Sequence, residues 1–157
     1  MSDFKHKKSL GQNFLHDKNI INKIIDSSNI TEESLVIEVG PGEGALTKEL
    51  INTKGNIISF EIDERLKPIL SVIKSINLEI VFEDFLKVNL NEYLKKYNYK
   101  KLHLIANLPY YITTPIIMKV INETSVDEMI IMVQKEVGNR FKALPGTKEY
   151  NISFCIY

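Results

Sequence analysis

The stretch LVIEVGPGEGALTKELI, residues 35–51, decides the fold. LVIEV (35–39) is a short apolar run of the kind buried on both faces of a sheet. Gly40, Gly42 and Gly44 follow at alternate positions, and ALTKELI (45–51) then takes up helical spacing. Strand, glycine loop and helix in that order let the backbone turn tightly and approach a ligand at a helix start. The spacing is G-x-G-x-G, not the dinucleotide form G-x-G-x-x-G. A purely structural tight turn uses the same glycines, so the neighbouring segments must arbitrate.

Outward from this stretch, apolar periods and breakers alternate. Ile20, Ile21, Ile24 and Ile25 recur at helical spacing, with Asp17 placed to cap. NIISFEI (56–62) reads as a second strand. Arg65 to Ile76 reads as a helix that tolerates Pro68 in its first turn. LEIVFE (78–83) reads as a third strand, LNEYLKKY (90–97) as a short helix and LHLIA (102–106) as a fourth strand. Thr113 or Thr114 is expected to cap a helix with Pro115 near its first position. EMIIMVQ (128–134) is a fifth strand and KEVGNRFKAL a helix. NISFCIY (151–157) reads as a sixth strand broken off in mid-run, the pattern of a piece of a longer protein. This alternation predicts a layered α/β domain with a mostly parallel sheet and helices on both faces.

Polar residues gather at the predicted strand ends. Glu61 lies 21 residues after Gly40, where nucleotide-binding α/β folds hold a ribose diol. Glu83-Asp84-Phe85 ends the third strand with a carboxylate suited to an adenine amine and a ring to pack beside it. Polar residues leave strands routinely, but three such features at successive tips favour a nucleoside site. A nucleoside without a diphosphate points to S-adenosylmethionine, and no G-x-x-x-x-G-K-[ST] loop is present. The fourth strand runs into LIANLPYYITTPII (104–117), which places an amide, a rigid proline and two tyrosines beyond the strand.

Composition narrows the classes. At 44% hydrophobic and 25% charged the chain is neither disordered nor fibrous, and its length suits one core. No apolar run reaches the ~18 residues of a membrane span. The start has no apolar leader core, and one cysteine, Cys155, allows no intrachain disulfide, which fits a cytoplasmic setting. His6, His16 and His103 have no ligand spacing, so no metal is expected and core or surface placement is the better assignment. Twenty basic residues balance twenty acidic ones, yet the ends are locally basic. Residues 1–23 hold five lysines against two aspartates, and residues 134–150 hold three lysines and an arginine against two glutamates. Lys5, Lys7, Lys8, Arg140, Lys142 and Lys148 are therefore candidate RNA phosphate contacts, with ordinary surface solvation as the competing reading.

Taken together, SLGQNFL (9–15), VIEVGPGEGALT (36–47), FEID (60–63), EDF (83–85), ANLPYYITTPI (106–116), QKEV (134–137) and PGTKEY (145–150) resemble the KsgA-type ribosomal RNA adenine N6,N6-dimethyltransferases. The motifs cover nearly the whole chain in family order. The resemblance implies a Rossmann-like S-adenosylmethionine-dependent methyltransferase fold. Residues 1–157 would be the cofactor-binding catalytic domain, without the family's small C-terminal helical domain. It implies cofactor contacts at Asn13, Leu15, Gly40, Glu61, Asp84 and Asn107, with Gln12 as a weaker candidate. It also implies dimethylation of two adjacent adenosines of small-subunit rRNA on a pre-30S-type particle, by a monomer, in ribosome biogenesis. Catalysis would fall to Asn107, Leu108, Pro109 and Tyr110. The related Erm enzymes act on one adenosine of large-subunit RNA, and G-P-G-E-G, N-L-P-Y and P-G-T-K favour the KsgA side. Two departures stand out. The tail K-E-Y-N-I-S-F replaces the more usual Y-G-R-L-S, and the chain stops before a seventh strand and an F-x-P-x-P-x-V-like segment. An RNA- or ribosome-binding module without turnover is thus the rival reading, and a DNA adenine methyltransferase a more distant one.

Overall fold

A computed structural model describes residues 15–133 and the strand at 151–156. The described strands are β1 (Ser34–Val39), β2 (Asn56–Phe60), β3 (Leu78–Val81), β4 (Lys101–Asn107), β5 (Glu128–Val133) and β6 (Asn151–Ile156). They form one sheet in the order β3-β2-β1-β4-β5-β6, and every neighbouring pair is parallel. The helices are α1 (Lys18–Ser27), α2 (Ala45–Leu50), α3 (Lys67–Leu70), α4 (Leu90–Leu94) and α5 (Tyr110–Glu123).

Strand alternation divides the core between the two faces. Leu35, Ile37 and Val39 of β1 face α4 and α5, where Leu90, Leu94, Ile116, Ile117 and Val120 cover them. Val36, with Ile57, Ile105 and Ile130 of the neighbouring strands, faces the opposite layer of Ile21, Ile24, Leu46 and Leu50 from α1 and α2. Removing each such Ile or Leu from water stabilises the fold by roughly 1.5–3 kcal/mol before conformational entropy is counted. That suffices to hold helices as short as α2 and α4, which would not persist alone.

Helix starts follow the predicted chemistry in part. The Asp17 carboxylate accepts from the Asn19 N–H at 2.8 Å and the Ile20 N–H at 3.4 Å, so it caps α1 as expected. Two helices differ from the expectation. The predicted helix over 65–76 is only a 3-10 turn at Glu64–Leu66 running into the single turn of α3. The chain leaves the helix because Ile73 N–H bonds back only to Leu70, and Asn77 is needed elsewhere. Its amide donates to the Gly55 carbonyl at 2.9 Å and so holds the turn before β2. The helix after β4 starts earlier than predicted. Pro109, extended at φ −61° and ψ 144°, caps α5 at Tyr110, and Pro115 lies inside the helix. Thr113 is no cap; its hydroxyl donates to the Pro109 carbonyl at 2.9 Å.

The predicted helix KEVGNRFKAL lies outside the described residues. None of the helices among them is long and apolar enough to cross a membrane.

Candidate active site

The strand order reverses between β1 and β4. β2 and β3 continue on one side of β1, and β5 and β6 on the other side of β4. In open parallel sheets the loops leaving the two strands at such a reversal diverge and open a crevice at their carboxyl ends. Here those loops are Gly40–Gly44 after β1 and Leu108–Pro109 after β4. Gly40 has φ +72°, and a Cβ built on it would lie 3.9 Å from the Asn107 carbonyl oxygen. A side chain at Gly40 would therefore project toward the β4 tip and carry a strained backbone as well. Gly44, at φ +79°, starts α2, and a Cβ there would meet Ile73 Cδ1 at 2.2 Å.

Glu61 follows β2 and is 4% exposed. One carboxylate oxygen accepts the Gly42 N–H at 3.1 Å and the other accepts the Asp63 N–H at 2.8 Å. The glycine loop and the β2 tip are thus tied through this one side chain. Burial pushes the Glu61 carboxyl above the usual range, against the lowering effect of the Asp63, Gly42 and Ile62 N–H groups, and the charge of Asp63 adds to the rise. Asp63 in turn caps the following turn and takes the Arg65 guanidinium, with Nε 2.8 Å from Oδ1. Asp84 lies beyond β3, accepts the Leu86 N–H at 3.1 Å and keeps part of its carboxylate in solvent.

Glu61 and Asp84 are set relative to each other by aromatic rings next to them in sequence. Phe60 meets Phe85 edge-on at 5.2 Å and Tyr93 of α4 at 5.5 Å between ring centres. The Tyr93 hydroxyl donates to Glu83 Oε1 at 2.8 Å. Phe85 is 4% exposed, so it packs in the core under the site and does not lie open beside a ligand.

At the β4 tip, Asn107 is half-buried and pairs in register with Met132, while the Leu108 N–H donates to the Met132 carbonyl at 3.3 Å. The end of β5 thereby holds the N-L-P-Y turn from below. The Leu108 side chain is buried, which anchors the turn, and Pro109 fixes its exit into α5. Leu15 is half-buried against the α1–α2 layer and packs there with Ile20 and Ile25. Asn13, Gln12, Lys5, Lys7, Lys8, Arg140, Lys142 and Lys148 lie outside the described residues, as does the side chain of Tyr110.

One buried acid escaped the sequence reading. Glu38, inside the apolar run of β1, is 1% exposed. It accepts the Thr47 hydroxyl of α2 at 2.8 and 3.0 Å and a short hydrogen bond from the Ser59 hydroxyl of β2. Burial raises its pKa to about 7, the hydroxyl bonds oppose that rise, and the charge of Glu61 adds to it. The signal was present: an acid between Ile37 and Val39, in a strand buried along its whole length.

His103 belongs to the core, at the opposite end of the sheet. Its Nε2 lies 3.0 Å from Ser34 Oγ and its Nδ1 3.0 Å from Glu128 Oε2, and Glu128 also accepts from the Asn29 side chain at 2.9 Å. Among the described residues no cluster of three His, Cys, Asp or Glu is arranged to hold a metal.

Comparison with known proteins agrees with this geometry. The family model described as ribosomal RNA adenine dimethylase matches residues 3–153. The chain is 50% identical over 152 residues to a Clostridioides difficile protein named ribosomal RNA small subunit methyltransferase A, covering 94% of this chain and 53% of that protein. A Listeria monocytogenes protein of the same name is 48% identical over 153 residues, with 94% and 52% covered. The chain thus spans about half the length of the curated relatives it matches. Among solved structures, a dimethyladenosine transferase from Plasmodium falciparum superposes with a TM-score of 0.68 at 29% identity, over 84% of this chain and 47% of that one. The 23S rRNA methyltransferase ErmE superposes at 0.61 and 30% identity, over 74% and 46%. The family match, the identities and the parallel sheet give one assignment: the chain belongs to the ribosomal RNA adenine dimethylase family.

Proposed function

We propose that this chain is the cofactor-binding and catalytic part of an S-adenosylmethionine-dependent enzyme that dimethylates the N6 amines of two adjacent adenosines in small-subunit rRNA. Identity near 50% to proteins named for the small subunit, against 30% to the 23S enzyme ErmE, favours this substrate over the large-subunit one. The cytoplasmic pre-ribosomal particle is where such an RNA is met. The observation that carries the reading is the position of Asn107, at the tip of β4 across the strand-order reversal from Gly40.

The residues present suit the cofactor. A ribose diol and an adenine amine bring hydrogen-bond donors, and the β2 and β3 tips offer carboxylates at Glu61 and Asp84. The Glu61 carboxylate already accepts from the Gly42 and Asp63 N–H groups, and its two oxygens have acceptor capacity beyond those bonds. Gly40 leaves space between the tips that a side chain would enter. Asn13 and Leu15 complete the cofactor contacts in this reading.

When bound, S-adenosylmethionine supplies an electrophilic methyl on a sulfonium and departs as a neutral thioether. The protein's task is to present the amine. The adenine N6 lone pair is delocalised into the ring, and its protons are too weakly acidic for an ordinary general base. Two acceptors gripping both N–H groups favour a pyramidal nitrogen with its lone pair turned toward the methyl. In this reading the Asn107 side-chain oxygen and the Leu108 carbonyl would be those acceptors, Pro109 brings no competing N–H, and Tyr110 would stack on the extruded base. Positioning supplies the rate, and the methylated nitrogen then loses its proton to solvent.

The test is transfer of labelled methyl groups to unmethylated small subunits. Asn107→Ala is expected to lower the rate by about 10²–10³-fold. Equal rates for wild type and variant would refute the role of Asn107. The rival reading is an RNA- or ribosome-binding module without turnover. Cofactor and RNA binding without any transfer by the wild-type chain would favour it.

A further inference from the structure

We propose that Glu38 reads the charge of the methyl donor: its buried carboxyl, held only by hydroxyls, shifts toward the ionised form when a sulfonium ligand is seated above β1. Part of a proton, averaged over molecules, would then leave Glu38 as the donor binds and return once the neutral thioether product has formed. The inference rests on the cofactor reading given above.

The geometry argues for a group built to change charge. Glu38 lies two residues before Gly40, is 1% exposed, and is hydrogen-bonded to Thr47 of α2, the helix that follows the glycine loop. Its side-chain partners are Thr47 and Ser59, both hydroxyls. A hydroxyl donates to a carboxylate or accepts from a carboxylic acid by rotating about one bond, so either state of Glu38 keeps its hydrogen bonds. An arginine or lysine partner would instead have fixed the charged form.

The surroundings are otherwise apolar or negative. From β4, the register neighbour of Glu38 is Ile105. From α2, Lys48 and Glu49 point to solvent. From the β2 side the nearest charge is Glu61, which acts on Glu38 as a like charge. Among the described residues that face Glu38 from β2, β4 and α2 none is a cation, so a positive ligand charge would act on it without competition from them. A value of about 7 leaves Glu38 balanced between its two forms at neutral pH, where a new positive charge has most effect. The glycine loop, read until now as a space for the ligand, thus also carries its charge to a buried acid.

The consequence is discrimination between donor and spent product. S-adenosylmethionine carries the sulfonium, whereas S-adenosylhomocysteine has the same nucleoside, amine and carboxylate with a neutral sulfur. Raising the pH through 7 should favour the donor over the product for this reason alone. The experiment is calorimetric titration of the chain at pH 7 in two buffers of different ionisation heat, with each ligand, for wild type and Glu38→Gln. Wild type is expected to release roughly 0.3–0.5 proton more than the variant on binding the donor, and the same amount as the variant on binding the product. The ligand amine titrates in both proteins, so the difference isolates Glu38. Equal proton counts for wild type and variant with the donor would overturn the proposal while leaving the cofactor site intact. Absence of heat with either ligand in wild type would instead remove the cofactor reading, and this inference with it. If the variant alone fails to bind, the carbon-13 signal of the Glu38 carboxyl in wild type decides. Its titration midpoint should fall with the donor and not with the product, and identical midpoints would refute the idea.

Discussion

A carboxyl enclosed by hydroxyls and apolar side chains leaves a mark on stability as well as on binding. Glu38 titrates at about 7 in the folded chain against an ordinary 4.5, so between those values the folded state keeps a proton that the unfolded state has lost. Stability must therefore fall as pH rises from about 4.5 to about 7, then level off. Glu38→Gln, which mimics the protonated form, should be more stable than wild type at pH 8 by on the order of 2–3 kcal/mol, with little difference at pH 4.5. Denaturant midpoints at the two pH values measure this, and parallel curves would refute it. Some slope should survive in the variant, because Glu61 is shifted in the same direction. At this scale the sequence was legible wherever a residue's task is set by its strand position. The sequence reading put Gly40, Glu61, Asp84 and Asn107 at the ends of strands, and the structure has each of them at or just beyond a strand's carboxyl end. For Glu38 the sequence shows an acid inside an apolar strand, but not its partners, because Thr47 and Ser59 meet it only in the folded sheet.

Elements were legible where periodicity was long and failed where a single polar residue decides. The α1 helix combines a cap with four isoleucines in step, and it forms where expected. The helix expected over 65–76 had apolar spacing too, but its last turn is spent on Ser75 and Asn77, which serve the turn before β2. The start of α5 was misplaced because Thr113 and Pro115 imitate a cap and a first-turn proline. The true stop is Pro109, held by the β4–β5 pairing behind it. One element depends on a buried polar cluster. The loop after α1 reaches β5 through Asn29 and Glu128, and Glu128 also holds His103. Glu128→Ala leaves the His103 ring and the Asn29 amide without that acceptor, and should cost about 2–3 kcal/mol in unfolding free energy. A change below about 0.5 kcal/mol would mean that solvent replaces the carboxylate, against its burial.

For the whole molecule, the α/β class and the parallel sheet followed from the alternation of segments, but strand order did not. No local pattern in β1 says that its second neighbour will be β4. That pairing is a property of the complete sheet, and it is what brings Gly40 opposite Asn107. The basic ends belong to the same scale, since phosphate attraction is summed over the surface. Lys7→Gln with Lys8→Gln should weaken binding to small-subunit RNA and reduce the steepness of its salt dependence by about 1–2 in log–log slope. An unchanged slope would remove both lysines from the RNA surface.

The pairing of β1 with β4 also bears on the order in which the chain folds. Ser34 faces Lys101, 67 residues on, whereas β1 meets β2 at Leu35 and Asn56, 21 residues apart. Loop-closure entropy makes the longer joint the later one. The arm from β1 to β3 would then assemble first, with Gly40, Glu61 and Asp84 already in place. Asn107 would arrive only as the second arm docks and the Ser34–His103 bond closes across the same joint. The Gly40, Glu61 and Asp84 side of the crevice is therefore a product of early folding, and the Asn107 side exists only once that long-range joint has closed.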